Sequence, residues 1–194
     1  LRKKVRRLQN AFGERLRFKV YEEPGNWEAC LKQYLELETR GWKRGRVGIG
    51  KDDGSLAIYR NLFSRLAMRG SLRFGFLSID DLLIAAEIAY IEGATVYFAH
   101  GTYDESYARY SPGIVSTCLF LRHFHGGRFA EGDFLAGFAG YLAPWADSIV
   151  PSRRLVVYRI SAPVLRAFVH KALDRLRRRR MSPSPAAEGI DKSW

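Results

Sequence analysis

The chain has 194 residues, 47% of them hydrophobic and 13% aromatic, which is enough apolar material for one packed domain and excludes a disordered chain. No apolar run reaches the roughly 18 to 20 residues of a membrane helix, and residues 1–20 are basic without the continuous apolar core of a secretion signal. The net charge of +12 is confined to two arms, +7 in residues 1–20 and +6 in residues 166–180, around a neutral body and a tail of −1, whereas a body built to clamp nucleic acid usually carries basic charge itself.

In chain order, Leu1, Val5, Leu8 and Phe12 fall at spacings of four, three and four, one stripe of an amphipathic helix with Arg and Lys on its other faces. "RFKVYEE" reads as a short strand ended by Pro24-Gly25. Asn26 is placed to cap a helix through Trp27, Leu31, Tyr34 and Leu35, closed by Gly41. "GWKRGRVGIGKDDG" is a Gly-rich basic loop without the Gly-Lys-Ser/Thr ending of a nucleotide-binding P-loop. The next helix is expected to turn Ile58, Leu62, Phe63 and Leu66 to one side, with Gly70 just past its end.

"SLRFGFLSID" alternates Leu72, Phe74 and Phe76 as a strand does. "DLLIAAEIAYI" suits either a buried strand or a short helix by periodicity. The β-like "ATVYFAH" after Glu92-Gly93 favours a strand, and the short connections then make an antiparallel meander. A helix is expected from Pro112 to about His125. "GGRFAEGDFLAGFAGYLAPWA" reads as short strand and turn, "RRLVVYRI" as a strand, and Ala162 to about Arg180 as a helix. The organisation expected is a single α+β domain over 1–180 with basic terminal helices, and a loose Pro- and Ser-containing tail over 181–194. Cys30 and Cys118 have no Cys or His at metal-ligand spacing, so both are expected to be small core thiols in a reducing cytoplasm, and no metal is expected.

Four stretches, "LELETRGWKRGRVGI", "AIYRNLFSRLAMRGSLRFGFL", "YDESYARYSPG" and "DFLAGFAGYLAPW", occur in one order and together resemble GNAT-type acyltransferases of the CelD-like, or cellulose-biosynthesis, group. These are similar in turn to Fem-type aminoacyl-tRNA-dependent transferases. The resemblance runs from about Glu36 to Trp145, more loosely to Arg159. It implies a bent, mostly antiparallel sheet with helices on both faces. It also implies transfer of an acyl group from acyl-CoA to an amine or hydroxyl acceptor, a polysaccharide hydroxyl among them. Proteins of this type usually carry two GNAT-like halves, so an N-terminal half is expected upstream. A tRNA-borne donor gripped by the basic arms is the alternative, and a catalytically silent module that recruits a partner is a third reading. Leu142 stands where family members usually have Lys, and Phe138 where an acidic residue is common.

Ser111 is a good N-cap residue and Pro112 suits the first helical position, since its missing N–H would be unpaired there anyway. Gly113 allows close backbone approach, and first-turn amides with the helix dipole favour an anion. Arg109 can add a charge-assisted bond to a phosphate. The same residues also suit a purely structural helix with Tyr103, Tyr107 and Tyr110 packed beneath it. In GNAT folds generally the carrier pyrophosphate meets the start of the helix after the central strands, so the resemblance implies a donor site at Tyr103, Arg109, Ser111, Pro112 and Gly113. That reading requires the helix start to be open. Asp104 is expected to cap a turn. Asp133, if half buried, would serve as the general base, with a backbone N–H near Tyr97 or Phe98 facing the oxyanion, and Tyr107 or Tyr141 returning a proton to the thiolate. The alternative for Asp133 is a turn residue. His100 is the reserve base. Glu87 is expected to face outward or line a cleft. His123 and His125, at a helix end, lack a third ligand for a metal.

Overall fold

The computed structural model describes residues 1–22, 24–41, 48–127, 129–135 and 145–151. The chain divides into two compact units, Leu1–Ala139 and Gly140–Trp194. The described part of the second is 145–151 alone, so the account below concerns the first. The strand expected at "RRLVVYRI", the helix at 162–180 and the tail at 181–194 lie outside the described residues, as do Trp42, Lys43, Phe138, Tyr141 and Leu142.

The first unit is a five-stranded sheet in sequence order, β1 (Leu16–Tyr21), β2 (Leu72–Ile79), β3 (Leu82–Glu92), β4 (Thr95–Tyr103) and β5 (Glu131–Asp133). β1 to β4 are antiparallel, and the meander joins its strands through Asp80-Asp81 and Gly93-Ala94. β5 then pairs in parallel with β4, opposing Thr95–Tyr97, because the helix between them returns the chain to the start of that strand. This is the α+β arrangement the resemblance implied.

Side chains alternate across the sheet, so each strand feeds two cores. On one face Phe74, Phe76, Ala86 and Ile88 pack against helices α2 (Trp27–Arg40) and α3 (Asp53–Met68), with Leu31, Tyr34, Leu37, Phe63 and Leu66 as the buried helical partners. On the other, helices α1 (Arg2–Phe12) and α4 (Pro112–Phe124) cover Leu77, Ile79, Ile84 and Ala85 at one end and Ala89, Ile91 and Val96 at the other. Burial of each large apolar side chain contributes about 1.5–3 kcal/mol, and both faces are continuous with it. Cys30 and Cys118 are buried free thiols as expected, and burial pushes the Cys30 thiol up to about 11.

One helix faces the sheet differently from the expectation. In α3 the inward stripe runs Leu56, Tyr59, Phe63 and Leu66 with Ala67, while Ile58 and Leu62 stand on the solvent flank, 69% and 42% exposed. The stripe read from the sequence combined two neighbouring rows of one helix. In α1 the stripe is as read from Val5 to Phe12, with Leu8 fully buried and Leu1 outside it.

β4 carries a bulge. Ala89 opposes Phe98 and Ile88 opposes His100, so Ala99 has no opposite number. Phe98 therefore lies on the α4 face and His100 on the α3 face, where its ring meets Tyr59 edge-on at 4.9 Å.

Candidate active site at the end of the fourth strand

The segment after β4 is built as a staircase. Asp104 is 7% exposed and caps a 3₁₀ segment, Glu105–Tyr110, accepting hydrogen bonds from Ser106 N at 3.0 Å and Ser106 Oγ at 2.6 Å. The Arg40 guanidinium at the end of α2 lies 3.5 Å from the same carboxylate and also donates to Leu83 O. The cap expected at Asp104 is present, and it ties the segment to α2.

Ser111 occupies the N-cap position of α4 in the left-handed region, φ 56° and ψ 49°. Its side chain makes no capping bond, contrary to the expectation, and its backbone departs from the extended conformation from which a capping hydroxyl reaches the first-turn amides; its carbonyl accepts from Val115 N at 3.2 Å. Pro112 is at N1 as expected and has no N–H to spend. Gly113 and Ile114 thus carry first-turn N–H donors without an intrahelical acceptor. Pro112 is buried, while Ser111, Gly113 and Ile114 are half-buried, so the helix start is partly covered. The cover is Tyr103: a Cβ on Gly113 would lie 3.0 Å from Tyr103 Cδ1.

Tyr107 and Tyr110 pack toward α1, with Phe12 centroids 6.1 and 5.0 Å away. Tyr107 therefore lies across the sheet from His100 and the two do not meet. Arg109 is exposed, with its guanidinium 4.6 Å from the Tyr110 ring centre.

Asp133 does not have the burial on which its expected role as a base rested. It is exposed, and its carboxylate accepts from Leu135 N at 2.7 Å, the turn geometry that was the other reading. It opposes Tyr97, six residues from Tyr103, which is about 20 Å along an extended strand. The structure thus brings Tyr103, Ser111, Pro112 and Gly113 together, with Arg109 at their rim, and leaves Asp133 at the far end of β4.

Sequence reasoning missed what lies under α4. Glu87 is 8% exposed, not outward or cleft-lining as expected. It sits between Gly75 of β2 and Gly101 of β4 in the ladder. Neither glycine has a side chain to occupy the space; a Cβ on Gly75 would meet Phe120 at 2.8 Å. Thr117 Oγ1 lies 2.8 Å from Glu87 Oε1 and 3.0 Å from Gly113 O, so it can donate to either. The carboxylate is thereby linked to the first turn of α4. The signal was available in the sequence only as a glycine in each neighbouring strand, and pairing register was needed to see it.

On the opposite face Tyr34 is fully buried and its hydroxyl has no hydrogen-bond partner among the described residues; burial first, then the charges of Glu38 and Glu87, holds its proton on well above the usual range. Glu38, 4% exposed, accepts from Gly50 N at 2.9 Å and Ile49 N at 3.4 Å, fixing the described end of the Gly-rich loop. Among the described residues no group of three His, Cys, Asp or Glu is arranged to hold a metal, and no described helix is long and apolar enough to cross a membrane.

Residues 1–141 match the family model described as an acetyltransferase (GNAT) domain. No curated protein sequence matches the chain. Among solved structures, a possible acetyltransferase from Clostridium difficile 630 superposes with a TM-score of 0.50 at 7% identity, over 75% of this chain and 98% of that one. An aminoglycoside acetyltransferase, meta-AAC0020, from an uncultured soil metagenomic sample in complex with sisomicin gives 0.49 at 13%, over 79% and 98%. A ribosomal-protein-alanine N-acetyltransferase from Brucella melitensis biovar Abortus 2308 gives 0.47 at 10%, over 74% and 99%. With the family match covering every described strand and helix, the chain belongs to the GNAT acetyltransferase family.

Proposed function

We propose that the chain transfers an acyl group from a coenzyme A thioester to an amine or hydroxyl acceptor, with the donor held at the start of α4. The observation that carries this reading is the path of β4. Among the described residues β5 pairs with Thr95–Tyr97 only. The outer edge of the strand from Phe98 onward leads directly to the Asp104 cap and to the partly covered helix start at Ser111–Gly113. A thioester carrier supplies an activated acyl carbon, and its pyrophosphate suits the Gly113 and Ile114 amides and the positive end of the helix dipole. Tyr103 backs the helix start, and Arg109 stands at its rim.

His100 is the base we assign. It lies just past the bulge, beside Tyr59 on the face of the sheet opposite Tyr103, so the acyl carbon and acceptor would meet it across the outer edge of β4. In the transfer the acceptor nitrogen or oxygen bonds to the acyl carbon, the carbon–sulfur bond breaks, and the acceptor proton passes to His100 directly or through water. Neither Asp133 nor Tyr107 is needed for this scheme. CelD-like membership, which the four ordered stretches support, favours a polysaccharide hydroxyl as acceptor; an amine is the alternative, and a Fem-type aminoacyl-tRNA donor is the rival on the carrier side.

Calorimetry with coenzyme A tests the donor site. Gly113→Glu adds bulk against Tyr103 and negative charge at the helix start, so it is expected to abolish binding. Unchanged affinity in a variant with a normal unfolding transition places the donor elsewhere. Mass spectrometry of the protein purified from its host, searching for a retained acyl thioester, identifies the acyl group.

A further inference from the structure

The basic charge of α1 has a structural destination. Arg7 and Arg109 both approach the ring of Tyr110, with guanidinium carbons 5.8 and 4.6 Å from its centre. Phe12 closes on the same ring edge-on at 5.0 Å, which fixes the ring between helix and turn. Two guanidinium groups held at one aromatic ring, both exposed, present their positive charge together to a ligand anion. Elsewhere the described arginines that converge on a partner have a carboxylate: Arg15 has Asp80, Arg40 has Asp104 and Arg73 has Glu22. Among the described residues neither Arg7 nor Arg109 has one within ion-pair distance. Both side chains are exposed, and Tyr110 immediately precedes Ser111 and Pro112 at the start of α4.

We propose that Arg7, Tyr110 and Arg109 form an anion subsite for the 3′-phosphate on the adenosine of coenzyme A. The inference rests on the donor reading above and extends it. One ribose separates that phosphate from the pyrophosphate, and one residue separates Tyr110 from Pro112. A pyrophosphate at the Gly113 and Ile114 amides therefore leaves the 3′-phosphate within reach of two forked guanidinium groups, whose planar donors suit phosphate oxygens. Tyr110 holds both forks by its π-face and so orients them before the ligand arrives. The N-terminal helix thereby becomes part of the donor site, with Leu8, Val5 and Phe12 anchoring it to the core while Arg7 faces the ligand.

The test is calorimetry on the full chain with two probes, coenzyme A and 3′-dephospho-coenzyme A. The wild type is expected to prefer coenzyme A by about tenfold, the scale of a charge-assisted phosphate contact. Arg7→Gln is expected to remove most of that preference and to leave affinity for the dephospho form within about twofold, whereas Arg109→Gln, at the rim of the pyrophosphate site, is expected to remove the preference and to weaken both probes. Arg7→Lys, which keeps the charge, retains part of it, and Arg15→Gln, which removes an arginine already paired with Asp80, leaves it intact. Equal wild-type affinity for the two probes, or a preference that survives both glutamine variants, overturns the subsite while the donor site stands. Failure of the wild type to bind either probe overturns both. If the glutamine variants instead lose affinity for an RNA hairpin and keep the coenzyme A preference, the face is a nucleic-acid surface and the subsite is overturned.

Discussion

Glu87 and Gly101 face each other across the β3–β4 ladder so closely that a Cβ on Gly101 would lie 2.5 Å from Glu87 Oε2. The buried carboxylate therefore depends on a missing side chain in the next strand. Gly101→Ala is expected to destabilise the protein by about 1–3 kcal/mol, the scale of overpacking in a tight core, read from the urea midpoint. Thr117→Val keeps the shape and removes the hydroxyl that meets Glu87, at about 1–2 kcal/mol. Because Thr117 also reaches Gly113 O, Thr117→Val should in addition weaken coenzyme A binding, whereas Gly101→Ala in β4 tests the carboxylate's fit alone.

His100→Ala removes the assigned base and is expected to lower kcat/KM by about 10²–10⁴, with little change in coenzyme A affinity because the donor grip lies at α4. Added imidazole should restore part of the rate. A variant with full activity removes His100 from the mechanism and leaves the donor site unaffected.

Asp104→Ala deletes two hydrogen bonds from Ser106 and the partner of Arg40. A lost cap of this kind costs about 1–2 kcal/mol. The same change loosens the turn that sets Tyr110 and Ser111, so donor affinity should fall with stability. A variant that melts early and still binds coenzyme A normally shows that the turn is not needed to shape the site.

Arg15 donates to the Asp80 carboxylate at 2.7 Å and 2.9 Å, and these bonds hold the Asp80 carboxyl below its usual range. A depressed folded-state value contributes stability that is present above the ordinary Asp value, near 4, and is lost as pH falls through the folded value. The stability difference between wild type and Asp80→Asn should therefore be visible at pH 7 and be lost as pH falls below the ordinary Asp value and through the depressed folded one. Both groups are exposed, so high salt should shrink the difference as well.

The meander was legible because its signals are local. Leu72, Phe74 and Phe76 alternate, and Glu92-Gly93 marks the turn into β4. The start of α4 was equally plain from Ser111-Pro112-Gly113, although the left-handed Ser111 was not, since the fit of its backbone to the turn before it is a tertiary matter. What failed was register. Glu87 looked like a surface carboxylate inside an apolar run until Gly75 and Gly101 were seen on either side of it. Asp133 between apolar neighbours left half burial open beside a turn, and it lies at the end of a three-residue strand that is exposed throughout. Neighbours in sequence report burial poorly at a sheet edge, where one flank faces water.

The unpaired Ala99 sets the register of everything after it. Were it to pair with Ile88 as in a regular ladder, His100 would fall opposite Glu87, Gly101 opposite Ala86, and Tyr103 would turn its ring away from Gly113. Every chemical group of the site would still be present, and none would face the way it does now. What matters at this point of the strand is that one residue stays out of the ladder: the site tolerates a changed letter at Ala99 more readily than a straightened strand.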